Sequence, residues 1–277
     1  MQLIPAALPD ADVRQVATLP QTLADSVRVG PYSEVRKGEL LRVVPGVARF
    51  HVVAGALSIA IEDGADMEAV DALLHGPVTA ALIYQRGEMP LHGAALVPPG
   101  ADRAIVFVGE KGAGKSTLSY ALVQRGWRLM NDDLSRIGFP ADAPIVYPGR
   151  AAVRLCEDAC ARFGIATAAL PRLDGPSVKY RLPEPADKGE PVPLGQIVEI
   201  ARSDPSGGLE PLMPAEAISL VMRHSYRPTY LRPMGVAARQ FQLAAALARD
   251  CAIARLTLAA APDQLADTLT ASYILAT

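Results

Sequence analysis

Over the first 65 residues the apolar positions come in short β-branched runs, at 26–29, 40–44, 48–53 and 57–61. Gly30-Pro31, Pro45-Gly46 and Asp63-Gly64 separate them as turns, so this part is predicted to be β-rich. From Asp66 the period changes. Met67, Val70, Leu73 and Leu74 form one helical stripe that ends near Gly76, and Pro77 is placed to open a second helix through Tyr84.

The centre has a different grain. Residues 91–97 and 104–108 are predicted strands, and the second is apolar throughout, as a strand buried on both faces would be. A glycine-rich stretch comes next, then a helix over 116–124 closed by Gly126. A strand at 129–130, the pair Asp132-Asp133 and a strand at 134–137 come after it. Residues 171–195 are rich in Pro, Asp, Glu and Gly and are predicted to be loops around one strand, 178–182. Further on the pattern predicts a strand at 196–201, a loop at 203–208, helices at 214–222 and 235–249, a strand at 252–258 and a terminal helix at 262–273. Strands alternating with helices predict an α/β class. The change of grain divides the chain into a β-rich region with two helices, 1–90, and a core, 91–277.

Composition narrows the function. The chain has 277 residues, 50% hydrophobic and 20% charged, enough for a sizeable core and too apolar for a disordered chain. A net charge of −2 with 5% aromatics leaves no footprint for nucleic acid. The longest apolar run, 78–84, is too short to span a bilayer, so no membrane partner is expected, and no secretory signal shows. Three cysteines, an odd and sparse set, suit a reducing cytoplasm. Cys156 and Cys160, four apart in an apparent helix, are expected to be buried small apolar residues. A homo-oligomer stays open.

Gly109-Glu110-Lys111-Gly112-Ala113-Gly114-Lys115-Ser116-Thr117 matches G-x-x-x-x-G-K-[ST], the phosphate-loop pattern. Its three glycines let the backbone fold into a nest of N–H groups facing phosphate oxygens. Lys115 is placed for the β- and γ-phosphates of ATP, and the Ser116 hydroxyl for Mg²⁺. The helix after the loop turns its positive end to the same anion. Asp132 and Asp133 stand at a strand end, where a carboxylate reaches the metal. On an extended segment their side chains alternate, sending one toward Mg²⁺ and the other toward an acceptor.

These elements, with His92-Gly93 upstream and Arg125-Gly126-Trp127-Arg128-Leu129-Met130-Asn131-Asp132-Asp133 downstream, resemble HPr kinase/phosphorylase. The separation from Lys115 to Asp133, 18 residues, equals the family's. The resemblance implies the fold shared by HPr kinases and phosphoenolpyruvate carboxykinases. It implies Asp133 as the base toward a serine hydroxyl, His92 in the active site, and Lys115 and Ser116 as the family's loop lysine and serine; Asp132 is the expected Mg²⁺ partner. The family's later E-x-R-G-x-G stretch is absent, which turns the expected acceptor from HPr toward a peptide. A looser set of HPr-kinase-related proteins, including kinases of lasso-peptide precursors, is similar also through Pro148-Gly149-Arg150-Ala151-Ala152-Val153-Arg154-Leu155.

Three cations are candidates for phosphate or substrate. Lys179 and Arg181 share one face of a predicted strand, and Arg154 closes the Pro-Gly stretch. Residues 223–233 hold three Arg and two Tyr, with prolines expected to keep them extended, as a surface linker or a grip for a peptide. The function expected is an ATP- and Mg²⁺-dependent serine kinase acting on a peptide or small protein. A small-molecule kinase, a nucleotide hydrolase and a non-enzymatic ATP-binding regulator are the alternatives.

Overall fold

The computed structural model describes residues 3–173, 178–183, 189–201, 208–257, 266–267 and 269–270. The predicted loop at 203–208 and the predicted terminal helix at 262–273 lie largely outside them.

The N-terminal sheet has six strands: β1 Asp12–Gln15, β2 Val27–Val29, β3 Ser33–Arg36, β4 Glu39–Val44, β5 Ala48–Val53 and β6 Ala56–Ile61, in the order β1-β6-β5-β4-β3-β2. All pairs are antiparallel except β1–β6. β1 and β3 are additions to the sequence pattern, since neither carries an apolar run. Ala54 and Gly55, both at positive φ, make the two-residue turn between β5 and β6, which suits the twist of a hairpin. Val35, Leu40, Phe50, Val52, Leu57 and Ile59 line the covered face.

That face is covered by α1 Met67–Leu73 and α2 Thr79–Gln85. Pro77 does not open a separate helix. Leu74–Val78 is a π turn that carries α1 into α2, with Thr79 N–H and Thr79 Oγ1 both reaching the Leu74 carbonyl. Proline lacks an N–H, and the wider turn accommodates the missing bond. The same apolar cluster takes in Leu134, Tyr230, Leu231 and Met234 from far along the chain.

The main sheet comprises β7 Met89–Val97, β8 Ala104–Val108, β9 Arg128–Asn131, β10 Leu134–Gly138, β11 Ile145–Tyr147, β15 Val192–Ala201, β16 Gly208–Pro211 and β17 Ala252–Thr257. Its order is β11-β10-β7-β8-β15-β17-β16, with β9 also on β7. β8, β15 and β17 run parallel. Helix α3 Lys115–Val123 and α4 Glu157–Arg162 cover one face; α5 Pro214–Arg223 and α6 Ala237–Asp250 cover the other. This is a mixed α/β architecture, and every residue of β8 is buried as its pattern predicts. A small third sheet, β12 Arg154–Cys156, β13 Arg172–Leu173 and β14 Lys179–Arg181, stands in the order β12-β14-β13.

Two expectations fail here. Cys156 ends a strand and is exposed; only Cys160 is buried on a helix. Residues 223–233 are not extended. Pro228–Tyr230 form a 3₁₀ turn, Arg227 takes a left-handed φ of 57°, and Tyr230 is 1% exposed. Apolar burial of the tyrosines outweighs the extended bias of proline. Among the described residues no helix is long and apolar enough to cross a membrane.

Candidate functional site

The glycine-rich loop joins the end of β8 to α3. Gly109, Gly112 and Gly114 stand at φ 153°, 86° and 104°, which L side chains seldom adopt. A Cβ at Gly109 would meet the Ile200 carbonyl at 2.7 Å, so loop and β15 touch backbone to backbone. Gly114 caps α3, and no side chain caps that N-terminus, leaving its N–H groups for an anion. Lys115 Nζ donates to the carbonyls of Gly109 at 2.6 Å and Glu110 at 3.2 Å. Burial lowers its pKa, against the pull of the Asp133 and Asp132 charges, and Lys179 lowers it further.

β9 and β10 are one line along β7, interrupted at Asp132-Asp133. Leu134 N–H donates to the Asp132 carbonyl at 3.0 Å across Asp133, whose φ is 76°. That bond and that φ are those of a γ-turn of the rare, strained hand. Such a residue costs about 1–3 kcal/mol and persists only where its surroundings hold it. The surroundings are on both sides. Gly93 N–H donates to the Asp133 carbonyl at 3.1 Å, and Asp132 N–H to the Arg150 carbonyl at 2.8 Å. A Cβ at Gly93 would stand 2.6 Å from the Phe107 carbonyl, so the His92-Gly93 pair is set by how closely β7 passes β8.

The turn corrects the expected alternation. Because the segment is not extended, both carboxylates line the same cavity. Asp132 is buried, and its Oδ2 has no hydrogen-bond partner among the described residues. Burial pushes its pKa up to about 6, a tendency Arg154 opposes and the Asp133 charge reinforces. Asp133 behaves oppositely. Burial would raise it, but Arg154 at 2.7 Å, His92 and the Tyr226 hydroxyl at 3.2 Å together hold it below the ordinary carboxylate value. One carboxylate is thus held ionised by protein partners and the other is left with an open oxygen.

His92 stands where the resemblance implies. Its Nδ1 lies 3.1 Å from the Asp133 carbonyl and 3.3 Å from Oδ1, and burial lowers its pKa, so the ring is neutral near pH 7. Arg154, on β12, is the direct partner of Asp133. The two strand cations separate. Lys179 acts on Lys115 and Asp132, whereas Arg181 is bound by Glu68 at 2.5 Å and lies 3.5 Å from Asp71, both on α1. Arg181 is therefore an ion-paired wall of the cavity. The Pro148-Gly149 stretch supplies Arg150, which pairs with Asp71.

Sequence reasoning missed Tyr226 in this role. Its hydroxyl donates to Asp133, its ring meets His92 edge-on at 5.5 Å, and burial raises its pKa, so it remains a donor. It also missed Glu199, at the end of β15 beside Val108, which Arg223, Arg255 and His224 surround. The His224 carbonyl accepts from His92 N–H at 2.7 Å. No local pattern marks these residues, since each acts on a group dozens of positions away.

For Mg²⁺ the residues fit. Its ligands are hard oxygens, and the Asp132 oxygen without a partner and the Ser116 hydroxyl beside Lys115 are of that kind. Among the described residues no three or more His, Cys, Asp or Glu side chains cluster as a metal site.

No family model matches the chain. No curated protein matches it. A solved structure of the Hpr(Ser) kinase/phosphatase from Coxiella burnetii is similar at 13% identity and a TM-score of 0.32, over 67% of this chain and 96% of that one. A likeness that slight carries no argument about function, which rests on the geometry of the loop and the aspartate turn.

Proposed function

We propose that this protein is an ATP-dependent kinase that transfers the γ-phosphate to a serine hydroxyl of a peptide or small protein. One observation carries the reading. The aspartate 18 residues beyond the loop lysine is forced into a strained turn, kept ionised by Arg154 and Tyr226, and set beside a second aspartate with an open oxygen. A plain ATP-binding regulator has no use for a strained, braced carboxylate.

The residues divide the work. The N–H groups of Gly112, Gly114 and the first turn of α3 bind phosphate, with Glu110, Lys111, Ala113 and Thr117 completing the loop. Lys115 leaves its loop carbonyls for the β- and γ-phosphates. Asp132 and Ser116 would hold Mg²⁺, which when bound would neutralise phosphate charge. Asp133 accepts the serine proton as the oxygen attacks phosphorus and the bond to ADP breaks. Arg154 and Tyr226 keep it aimed, and His92 supports the turn from β7. Phosphoryl transfer needs mostly position and charge, so a carboxylate held ionised serves even as a weak base.

The setting fits a reducing cytoplasm, and a lasso-type precursor is one peptide of the right kind. The test is incubation with MgATP and a panel of serine peptides, small proteins and free hydroxyl metabolites, read by intact mass. The expected result is one added phosphate on a peptide or protein, absent when its serine is alanine. Phosphorylation of a free metabolite alone would replace this reading with a small-molecule kinase.

A further inference from the structure

We propose that the acceptor hydroxyl enters the cavity between α1 and the Asp132-Asp133 turn, so that the N-terminal region selects the acceptor. This rests on the kinase reading and adds the acceptor's place and class.

The cavity has a volume of about 40 Å³. Asp132, Asp133 and Arg154 form one wall, and Glu68, Ala72 and His75 from α1 and the π turn form the facing one. No residue of 109–117 lines it. The aspartates thus have Lys115 near them on the loop side and this cavity on another. In phosphoryl transfer the attacking and leaving oxygens lie roughly in line, so the acceptor must approach away from the nucleotide. This cavity touches Asp133 and none of the loop residues 109–117, as an acceptor entrance must.

Its size and charge choose the class. At about 10–15 Å³ per water it holds roughly three waters, enough for a hydroxymethyl arm and too little for a sugar ring or a base. The guanidinium groups in its walls are already paired: Arg181 with Glu68, Arg150 with Asp71, Arg154 with Asp133. A neutral alcohol enters without breaking a pair, whereas a carboxylate or phosphate would have to compete with one. Glu68, Arg150 and Arg181 also line a wider cleft of about 580 Å³ outside. Met67, Leu170, Pro171, Leu182 and Pro183 line it beside Glu68, Asp71, Arg150 and Arg181, so the cleft is mixed, with apolar and charged groups. The acceptor is therefore a slim hydroxyl arm whose attached chain would lie in this mixed cleft. Its oxygen bonds to phosphorus, ADP leaves, and its proton passes to the Asp133 carboxylate.

The experiment uses the full chain with MgADP and aluminium fluoride, and the exposed Ala72 changed to phenylalanine. A crystal structure of the wild-type complex should place the apical oxygen opposite ADP inside this cavity, within hydrogen-bond distance of Asp133. Ala72→Phe should keep the MgATP dissociation constant and lower ADP formation, with water as acceptor, by about tenfold or more, since blocked positioning costs that much. An apical oxygen outside the cavity, or Ala72→Phe turning over like wild type, overturns the proposal and leaves the kinase reading standing. Failure of the wild type to bind MgATP overturns both.

Discussion

The glycine-rich loop and the aspartate turn serve one site and are built in opposite ways. The loop is a contiguous stretch, residues 109–117, whose shape comes from three glycines between a buried strand and a helix. The turn is held from a distance. Asp133 takes contacts from His92, 41 residues before it, and Tyr226, 93 after it. A motif made of neighbours binds; a motif assembled from far parts aims. Changes in the loop should therefore show in nucleotide affinity, and changes around the turn in transfer.

Asp133→Asn gives the largest effect. Transfer should fall by about 10²–10⁴-fold, the worth of a positioned base, with the MgATP dissociation constant unchanged. Calorimetry and the intact mass of the phosphorylated acceptor measure the two halves, and equal losses in both would erase the division. Lys115→Ala is the counterpart. Losing charge-assisted bonds worth about 1.5–3 kcal/mol should weaken MgATP by about 10–100-fold in the same titration.

Tyr226→Phe sharpens the long-range half. It keeps the half-buried ring and removes one bond to a carboxylate. Turnover should fall by about tenfold, with KM for MgATP and the thermal midpoint nearly unchanged. A drop in thermal midpoint with normal turnover would make Tyr226 a packing residue only.

The smallest effect is in stability. Burial lowers the pKa of His224, and Arg223 adds to this against the pull of Glu199 at 3.1 Å. Two arginines already balance that carboxylate, so His224 stands as a neutral donor. The unfolded chain takes up the proton at about pH 6.5, above the folded value, so stability is lost as pH falls through and below that point. The thermal midpoint should drop between about pH 7.5 and about pH 5.5, and drop less in His224→Asn. An identical drop in both proteins would assign it to other groups.

The candidate chemistry was legible in unequal parts. The loop, its strand and helix, and the aspartate pair could be placed from sequence because each is encoded by adjacent residues. The direction of the two carboxylates could not, because the strained φ of Asp133 depends on β7 and the Arg150 segment. The pairing of Arg181 with Glu68 was likewise out of reach, since the two lie 113 residues apart. Residues 223–233 looked like an exposed strip, and tertiary packing folded Tyr226 and Tyr230 inward.

By itself the sequence determined a β-rich start, an α/β core and the glycine loop, since periodicity and glycine freedom act within a few residues. Tertiary structure decided that α1 faces the aspartates, that Arg154 and Tyr226 brace Asp133, and that one carboxyl oxygen of Asp132 is left open. The physical reason is that hydrogen bonds, ion pairs and desolvation depend on distance in space, and chain separation says little about that distance once strands and helices pack.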